Sequence, residues 1–239
     1  MQEMIRTLCK QLRLGSHIAE SYSQIQADSQ EAFLVKVLTE AVEAREVERK
    51  NRYIQQAGFD VIKQLETFDF SGVTLPGGLT PQVLKSCEFV QNKQNLILYG
   101  RPGTGKSHLA TALGVEACRL GHKALYFKTS RLVNLLSEAR KGDAEAKFWK
   151  KLNQADVLIL DEWGYIPFER VGTQLLFEAI SECYEKRSVV ITTNLPFDEW
   201  NTIFYDQKLT TAILDRLVHH GLLLMHDGPS YRVKNSEMQ

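Results

Sequence analysis

Apolar residues recur at helical spacing over the first sixty or so residues of the chain. The repeat is clearest in two stretches that contain Ile5, Leu8, Leu12, Leu34, Val37, Leu38 and Ala41. This periodicity predicts two or three amphipathic helices. Asp28 and Glu31 have the spacing of an N-terminal capping pair, so they are expected to begin one of these helices.

The pattern changes from residue 95 onward to short apolar runs separated by helical segments. These runs are NLILY, ALYFK, VLIL, VVIT and LLLM. Short apolar runs that alternate with helices are typical of buried parallel strands. Before them, the glycines and prolines of SGVTLPGGLTP indicate a connector, with Thr80 and Pro81 placed to start a helix. The sequence therefore predicts an α/β fold that follows a helical N-terminal region.

A glycine-rich turn follows the first predicted strand. Gly100, Gly105, Lys106 and Ser107 fit the G-x-x-x-x-G-K-[ST] pattern, with a strand before it and a helix after it. Backbone N–H groups of such a loop surround phosphates, the lysine reaches the outer phosphates, and the hydroxyl is offered to Mg²⁺. The expected nucleotide-binding residues are Gly100, Arg101, Pro102, Gly103, Thr104, Gly105, Lys106, Ser107 and His108. A dinucleotide-binding fingerprint is excluded, because it requires glycine where His108 stands.

Acidic residues end the third predicted strand, in the segment VLILDE. Asp161 is expected to hold Mg²⁺, and Glu162 to orient or deprotonate an attacking water. This pair favours an ATPase over a nucleotide-binding scaffold that never hydrolyses. GTP is disfavoured, since a base-reading N-K-x-D motif is absent from the sequence.

Two further polar residues follow in an order that recurs in ATPases. Asn194 ends the strand VVITT, where its amide is placed to hydrogen-bond the attacking water or the γ-phosphate. Arg216 lies in the predicted helix LTTAILDRLVHHG and is a candidate arginine finger. The neighbouring His219 and His220 have no carboxylate or cysteine at metal spacing along the sequence, so no zinc is assigned to them.

Composition limits the partners and the compartment. The chain has 239 residues, of which 44% are hydrophobic and 24% charged, and its 29 basic and 29 acidic residues cancel. Zero net charge excludes a uniformly basic nucleic-acid binder but permits a local basic face. No apolar stretch is long enough for a membrane span and the N-terminus lacks a signal-peptide pattern, so a cytoplasmic protein is expected. The four cysteines are widely spaced, which predicts buried thiols.

A candidate basic face lies between the second and third predicted strands. There two short helices are expected to break at Gly142, and Lys147, Lys150 and Lys151 fall on one side of the second helix. An ordinary solvated helix face is the alternative interpretation. The candidate DNA-binding residues are Arg140, Lys141, Lys147, Lys150 and Lys151.

Several of these segments together resemble the IstB-like ATP-binding proteins, the transposition helpers of bacterial insertion sequences. These proteins are relatives of the DnaC helicase loaders within the AAA+ superfamily. The resemblance covers nearly the whole chain and rests on the segments GRPGTGKSHLA, ADVLILDEWGYIPF, SVVITTN, FDEWNTIFYDQKLTTAILDRL and GPSYR, and on the helical segment that ends in QLETFDF.

This resemblance implies an AAA+ ATPase domain with five parallel strands in residues 65–239 and a helical domain in residues 1–64 that contacts partners, DNA or other subunits. It also implies that Lys106 and Ser107 bind phosphate and Mg²⁺, that Asp161 holds the metal, and that Arg216 reaches a neighbouring subunit's ATP. Glu162 would then activate water and Asn194 act as a polar sensor. Phe68 and Phe70 are expected near the adenine by the same analogy.

Two residues depart from the family pattern, and the C-terminal segment is short. Arg101 stands where a proline is expected, and Cys183 where an arginine is usual. Only 14 residues follow the last predicted strand at Met225, so a full helical lid is not expected. Arg232 is the candidate second sensing arginine, with a purely structural role as the alternative.

The resemblance implies an ATPase that uses Mg²⁺ and oligomerises on duplex DNA. Such an assembly would bend the DNA and recruit or activate a cognate transposase. The alternatives are a DnaC-like helicase loader that prefers single-stranded DNA, and a P-loop kinase, for which a recognisable acceptor site and an arginine-rich lid are absent.

Overall fold

The computed structural model describes residues 1–15, 17–142 and 144–234. The chain divides into two compact units, one spanning Met1–Arg52 and one beginning at Tyr53. Tyr53, Ile54, Ala57 and Phe59 belong to a hydrophobic cluster of the second unit, so this division precedes residue 64. The functional division expected between residues 64 and 65 stays a prediction.

The first unit is helical, as predicted. Its helices are α1 (Gln2–Leu12), α2 (Ile18–Ser21) and α3 (Gln30–Ala57), the last of which continues past Arg52, with a 3-10 turn at Tyr22–Gln24. A small core is formed by Cys9, Ile18, Ala19 and Ala41. The prediction that Asp28 caps α3 is wrong. The cap is Ser29, whose hydroxyl accepts the Ala32 N–H at 3.1 Å.

The second unit is built on a six-stranded sheet. Its strands are β1 (Val73–Thr74), β2 (Asn95–Gly100), β3 (Ala124–Lys128), β4 (Val157–Trp163), β5 (Ser188–Thr193) and β6 (Gly221–His226), in the order β1-β6-β2-β5-β4-β3. Strands β2 to β6 are parallel and correspond to the five predicted apolar runs. The sixth strand, β1, pairs antiparallel with β6 and was missed because two residues carry no periodic pattern.

Helices cover both faces of this sheet. They are α4 (Pro81–Lys85), α5 (Glu88–Gln91), α6 (Lys106–Arg119), α7 (Thr129–Lys141), α8 (Glu145–Asn153), α9 (Arg170–Cys183), α10 (Gln207–His219) and α11 (Tyr231–Lys234). Short 3-10 turns occupy Leu65–Thr67, Phe70–Gly72 and Phe197–Thr202. The Thr80 hydroxyl accepts the Val83 N–H at 3.2 Å, which confirms the predicted start of α4.

Each face of the sheet has its own hydrophobic core. One core packs α6 against the sheet through Leu109 and Leu113, and the other packs α7, α9 and α10 through residues such as Leu132, Leu176 and Leu217. Burial on both faces explains why the strands are continuous apolar runs. All four cysteines are buried and free, as predicted. Among the described residues, no helix combines the length and the apolar character that crossing a membrane requires.

The strand order determines where the polar residues meet. Strand β5 lies between β2, which leads into the glycine-rich turn, and β4, which carries Asp161 and Glu162. Because these three strands are parallel, their carboxyl ends lie at one edge of the sheet. The glycine-rich turn, the acidic pair and the polar end of β5 therefore converge there.

Candidate nucleotide site

The glycine-rich turn is held tightly between β2 and α6. Gly100 has φ 152°, and a side chain there would collide with the His226 carbonyl. Gly103 and Gly105 have φ of 84° and 90°, in the left-handed region that favours glycine. Gly105 is also the N-cap of α6, so the helix N-terminus opens directly into the turn. This arrangement leaves backbone N–H groups available for an anion.

Lys106 is folded back onto its own loop. Its ammonium donates to the carbonyl oxygens of Gly100 and Arg101 at 2.6 and 2.8 Å, and the residue is only 6% exposed. Burial lowers the pKa of Lys106 to about 8, an effect that Asp161 opposes and Arg232 reinforces. A phosphate would supply the negative charge that this buried ammonium lacks.

Asp161 is the centre of a hydroxyl cluster. Its carboxylate accepts from Ser107 Oγ at 2.8 Å, from Tyr126 Oη at 2.6 Å and from the Thr192 hydroxyl. The Thr129 hydroxyl donates to its backbone carbonyl at 2.9 Å. Burial, followed by the Asp161 carboxylate, raises the pKa of Tyr126, so the phenol remains a donor. The cluster fixes Asp161 beside the first turn of α6.

An irregularity in β4 sets the backbone conformation of Glu162. The pairing of β4 with β5 shifts register between Leu160 and Trp163, and Glu162 has φ 59°, which is uncommon outside glycine. Its N–H donates to Thr192 Oγ1 at 3.1 Å. Its carboxylate pairs with the Lys128 ammonium at 2.9 Å. Backbone strain at such a position is typical of functional sites.

Lys106, Ser107, Tyr126, Glu162 and Thr192 border a cavity of about 600 Å³, whereas Asp161 is not among the described residues that line it. Of the predicted residues, it is lined by Gly103, Thr104, Gly105, Lys106, Ser107, His108, Glu162, Phe68 and Arg232. Gly100, Arg101 and Pro102 lie in the preceding part of the loop. Phe70 is not among the lining residues but packs edge-on against Phe68 at 4.8 Å between ring centroids.

The residues present fit a nucleotide and a divalent cation. The loop glycines form a cradle that side chains would fill, and a buried ammonium lies within it. Ser107 and Asp161 offer adjacent hard oxygen atoms, the ligand type that Mg²⁺ prefers.

Asn194 and Arg216 are two further residues that the sequence predicts to act on the nucleotide. Neither is among the described residues that line the cavity. Asn194 directly follows β5, and its buried Oδ1 has no hydrogen-bond partner within the described ranges. The Arg216 guanidinium donates to the Ala212 carbonyl at 2.8 Å and lies 4.9 Å from the centre of the Phe177 ring. Arg216 is therefore held by groups of its own helix, α10, and of α9.

The predicted basic face divides into two kinds of residue. Lys147, Lys150 and Lys151 are exposed on α8, and Lys141 is exposed at the end of α7. Arg140 instead pairs with Glu145 at 3.2 Å and with Glu178 at 2.5 Å, so carboxylates already neutralise its charge. The predicted helix break at Gly142 is confirmed.

Some residues of the site were not recognised in the sequence. Tyr126, Thr192, Lys128, His226 and Tyr231 all lie next to the loop or the acidic pair. His226 Nδ1 is 3.1 Å from the Thr104 carbonyl, and the Tyr231 N–H donates to the Gly103 carbonyl at 2.9 Å. A polar residue at the end of an otherwise apolar strand is the one signal that could have identified Thr192 and His226.

Comparison with known proteins decides the family. The family model of the IstB-like ATP binding protein matches residues 7–239. The chain belongs to this family. It is 39% identical over 205 residues to a Pseudomonas aeruginosa protein that is named as the ATP-binding protein of insertion sequence IS21. This match covers 84% of this chain and 76% of the relative. The corresponding protein of IS5376 from Geobacillus stearothermophilus is 34% identical, covering 100% of this chain and 97% of the relative.

Solved structures agree on the fold of this IstB-like protein. AMPPCP-bound DnaA from Aquifex aeolicus matches with a TM-score of 0.56 and 21% identity, over 72% of this chain and 52% of that one. The chain thus spans about half the length of that DnaA chain. The DnaC helicase loader matches with a TM-score of 0.50 and 22% identity, over 73% and 98% of the two chains. The expected AAA+ fold is confirmed, with six strands instead of five.

Proposed function

We propose that this IstB-like protein is an ATP-hydrolysing transposition helper that assembles on duplex DNA, bends it, and recruits or activates a transposase. One observation carries the ATPase part of the proposal. The Ser107 hydroxyl and the Asp161 carboxylate meet at 2.8 Å beside the phosphate loop, and Glu162 follows on the same strand. Membership of a family named for ATP binding supports ATP as the nucleotide.

Hydrolysis requires two side chains to exchange partners. Lys106 leaves the loop carbonyls for the outer phosphates, which carry more negative charge than a carbonyl oxygen. Glu162 leaves Lys128 and accepts a proton from the attacking water, or orders it by a hydrogen bond. Ser107 and Asp161 would hold Mg²⁺, which when bound supplies positive charge to the phosphate oxygens.

Two more predicted residues complete this chemistry. Asn194 offers an Oδ1 at the end of β5 that has no hydrogen-bond partner among the described residues and is suited to accept a hydrogen bond from the water. Arg216 is not among the described residues that line the cavity of its own chain, which supports a role at the ATP of a neighbouring copy. ATP binding would then favour assembly, because the site between two copies is complete only when they associate.

The insertion-sequence relatives support a transposase as the client. The match to the IstB-like family extends over residues 7–239, which includes most of the N-terminal helical segment. We assign residues 1–64 to partner and subunit contacts, and residues 65–239 to ATP hydrolysis. Similarity to the DnaC helicase loader is a similarity of fold and keeps helicase loading as the second candidate.

Electron microscopy tests the proposal directly. The protein mixed with duplex DNA, ATP and Mg²⁺ should form assemblies on bent DNA, whereas the same mixture without nucleotide should leave separate particles. Equal assembly in both mixtures would contradict ATP-dependent association. Tighter binding to single-stranded than to duplex DNA, with capture of a replicative helicase, would favour the loader.

Glu162→Gln separates hydrolysis from binding. We expect ATP to bind normally while phosphate release falls by about 10² to 10⁴, the usual contribution of a general base. Phosphate release by the unaltered protein with water as the only acceptor would exclude a kinase. Failure of the unaltered protein to release phosphate, with or without DNA, would instead indicate a scaffold.

A further inference from the structure

The ends of α9 and α10 bring together three potential metal ligands. Glu185, His219 and His220 each place one ligand atom so that all three atoms lie within 4.8 Å of one another. All three side chains are exposed, so an ion has free access from solvent. The cluster is separate from the nucleotide cavity, whose described lining contains none of these residues.

Local structure holds these residues in place. His219 is the last residue of α10 and His220 its C-cap, while Glu185 follows Tyr184, the C-cap of α9. Glu185 has φ 57°, so the chain turns sharply where its side chain meets the histidines. The Tyr184 hydroxyl lies 3.0 Å from His219 Nδ1 and orients that ring. A hydrogen bond of this kind commonly orients a metal-binding histidine.

The spacing suits an ion better than a direct bond. His220 Nε2 and Glu185 Oε1 are 3.7 Å apart, which is too long for a hydrogen bond. Two ligands at about 2.0–2.1 Å from a tetrahedral Zn²⁺ are separated by about 3.3 Å. Small side-chain rotations therefore bring this pair to coordinating distance. The two imidazole rings, with centroids 4.1 Å apart, are close enough to share the ion.

The ligand types select the class of metal. Two imidazoles and one carboxylate suit Zn²⁺ and neighbouring transition ions, whereas Mg²⁺ and Ca²⁺ prefer oxygen ligands alone. The carboxyl end of α10, with its partial negative charge, also favours a cation here.

We propose that Glu185, His219 and His220 bind a single transition-metal ion of the Zn²⁺ class. The ion connects the end of α9 to the end of α10, two segments that the chain separates by more than a helix and a strand. A protein ligand set of three leaves one tetrahedral position for water. Because the ion is held only by the folded chain, its binding stabilises the fold.

Competition with a chromophoric chelator tests the site. The full chain, without a histidine tag, is titrated with Zn²⁺ in a large excess of Mg²⁺, and binding of one ion per chain is expected. His219→Ala, His220→Ala and Glu185→Gln should each weaken this binding by at least about tenfold. His122→Ala removes a histidine outside the cluster and should leave the affinity unchanged.

Two results would overturn the proposal. One is the absence of a one-to-one Zn²⁺ complex. The other is equal affinity in the unaltered chain and in the triple variant that combines His219→Ala, His220→Ala and Glu185→Gln. Co²⁺ spectra provide a second measurement on the unaltered chain. An absorption pattern of nitrogen and oxygen ligands supports the site, whereas a thiolate charge-transfer band would assign the ion to a cysteine and reject it. Circular dichroism verifies that each variant is folded.

Discussion

Lys128 restrains the side chain that is expected to activate water. Its ammonium lies 2.9 Å from the Glu162 carboxylate, and this hydrogen bond is the largest of the effects that raise the pKa of Lys128. Both side chains remain partly exposed, at 45% and 38%, so the pair is worth no more than about 1 kcal/mol. A contact of this strength is weak enough to be exchanged in the ATP hydrolysis that we propose.

We predict that Lys128→Met raises the basal rate of ATP hydrolysis. Without the ammonium, Glu162 is no longer held away from water, and up to about 1 kcal/mol corresponds to an increase of at most about fivefold. Phosphate release at saturating ATP measures the effect. Lys128→Arg retains the ion pair and should stay near the original rate. A lower rate in the methionine variant would show that Lys128 assists the reaction.

His226 is a buried titratable side chain beside the phosphate loop. It is 1% exposed, its Nδ1 is 3.1 Å from the Thr104 carbonyl, and burial lowers its pKa below 6.5. Lys106 acts in the same direction, while the bond to Thr104 and the charge of Asp227 oppose it. Below pH 6.5 the unfolded chain therefore takes up this proton before the folded chain does, and stability falls as pH falls.

We predict that His226→Gln reduces this loss of stability. Glutamine can still donate to Thr104 but does not titrate, so the melting temperature should fall less between pH about 7 and about 5.5. Burial also lowers the pKa of His108, so some pH dependence should remain in the variant. Slopes are compared rather than absolute melting temperatures, because the substitution itself changes stability. Parallel slopes would show that His226 does not carry the effect.

At the scale of elements, α8 exposes three lysines, and the Lys151 ammonium also lies 5.9 Å from the centre of the ring of Phe127, a core residue. Phe148 and Trp149 are partly buried against the core and Leu152 is buried, which leaves Lys147, Lys150 and Lys151 exposed. Arg140 pairs with two carboxylates, whereas these lysines pair with none among the described ion pairs. Their charge is therefore available to phosphates of DNA.

We predict that reversing Lys147, Lys150 and Lys151 to glutamate weakens DNA binding and flattens its dependence on salt. Each lost phosphate contact should reduce the slope of log affinity against log salt by about 0.9. Fluorescence anisotropy with duplex DNA at several salt concentrations measures both quantities. Lys150→Glu alone and Lys93→Glu, on the turn before β2, change the net charge by the same amount, so Lys93→Glu is the matched control for that single variant. Unchanged DNA affinity in the triple variant would move the DNA surface elsewhere.

The elements that carried local signals were predictable from the sequence. The phosphate loop, the Asp161–Glu162 pair and the Thr80 cap consist of residues that are adjacent or nearly so along the chain. Tyr126 and Thr192 reach Asp161 across sequence separations of 35 and 31 residues, and apolar periodicity does not give the order of strands in a sheet. Glu185 was missed beside His219 for the same reason, since only the folded chain brings α9 and α10 together.

For the whole molecule, the position of Arg216 raises the question of how many copies make one active site. The guanidinium contacts Phe177 and the Ala212 carbonyl of its own chain, and in the part of the chain that the structure describes Arg216 is not a lining residue of the nucleotide cavity. If it acts on a neighbouring copy, then a chain that lacks Arg216 still has an intact phosphate loop. Conversely, a chain that lacks Lys106 can still donate its arginine.

We predict that Arg216→Ala and Lys106→Ala are each nearly inactive alone but regain ATP hydrolysis when mixed. An arginine supplied by a neighbour contributes about 10³ to 10⁵ to the rate, so a minority of mixed contacts would give a large signal. Phosphate release is measured against the ratio of the two variants at constant total protein, and it should be highest near equal amounts. In the control, one of the two single variants in the mixture is replaced by the double variant that carries both Lys106→Ala and Arg216→Ala. This mixture should not regain ATP hydrolysis. Activity that is simply the sum of the two variants would place Arg216 outside the shared site, and ATP binding could then no longer be the event that joins one copy to the next.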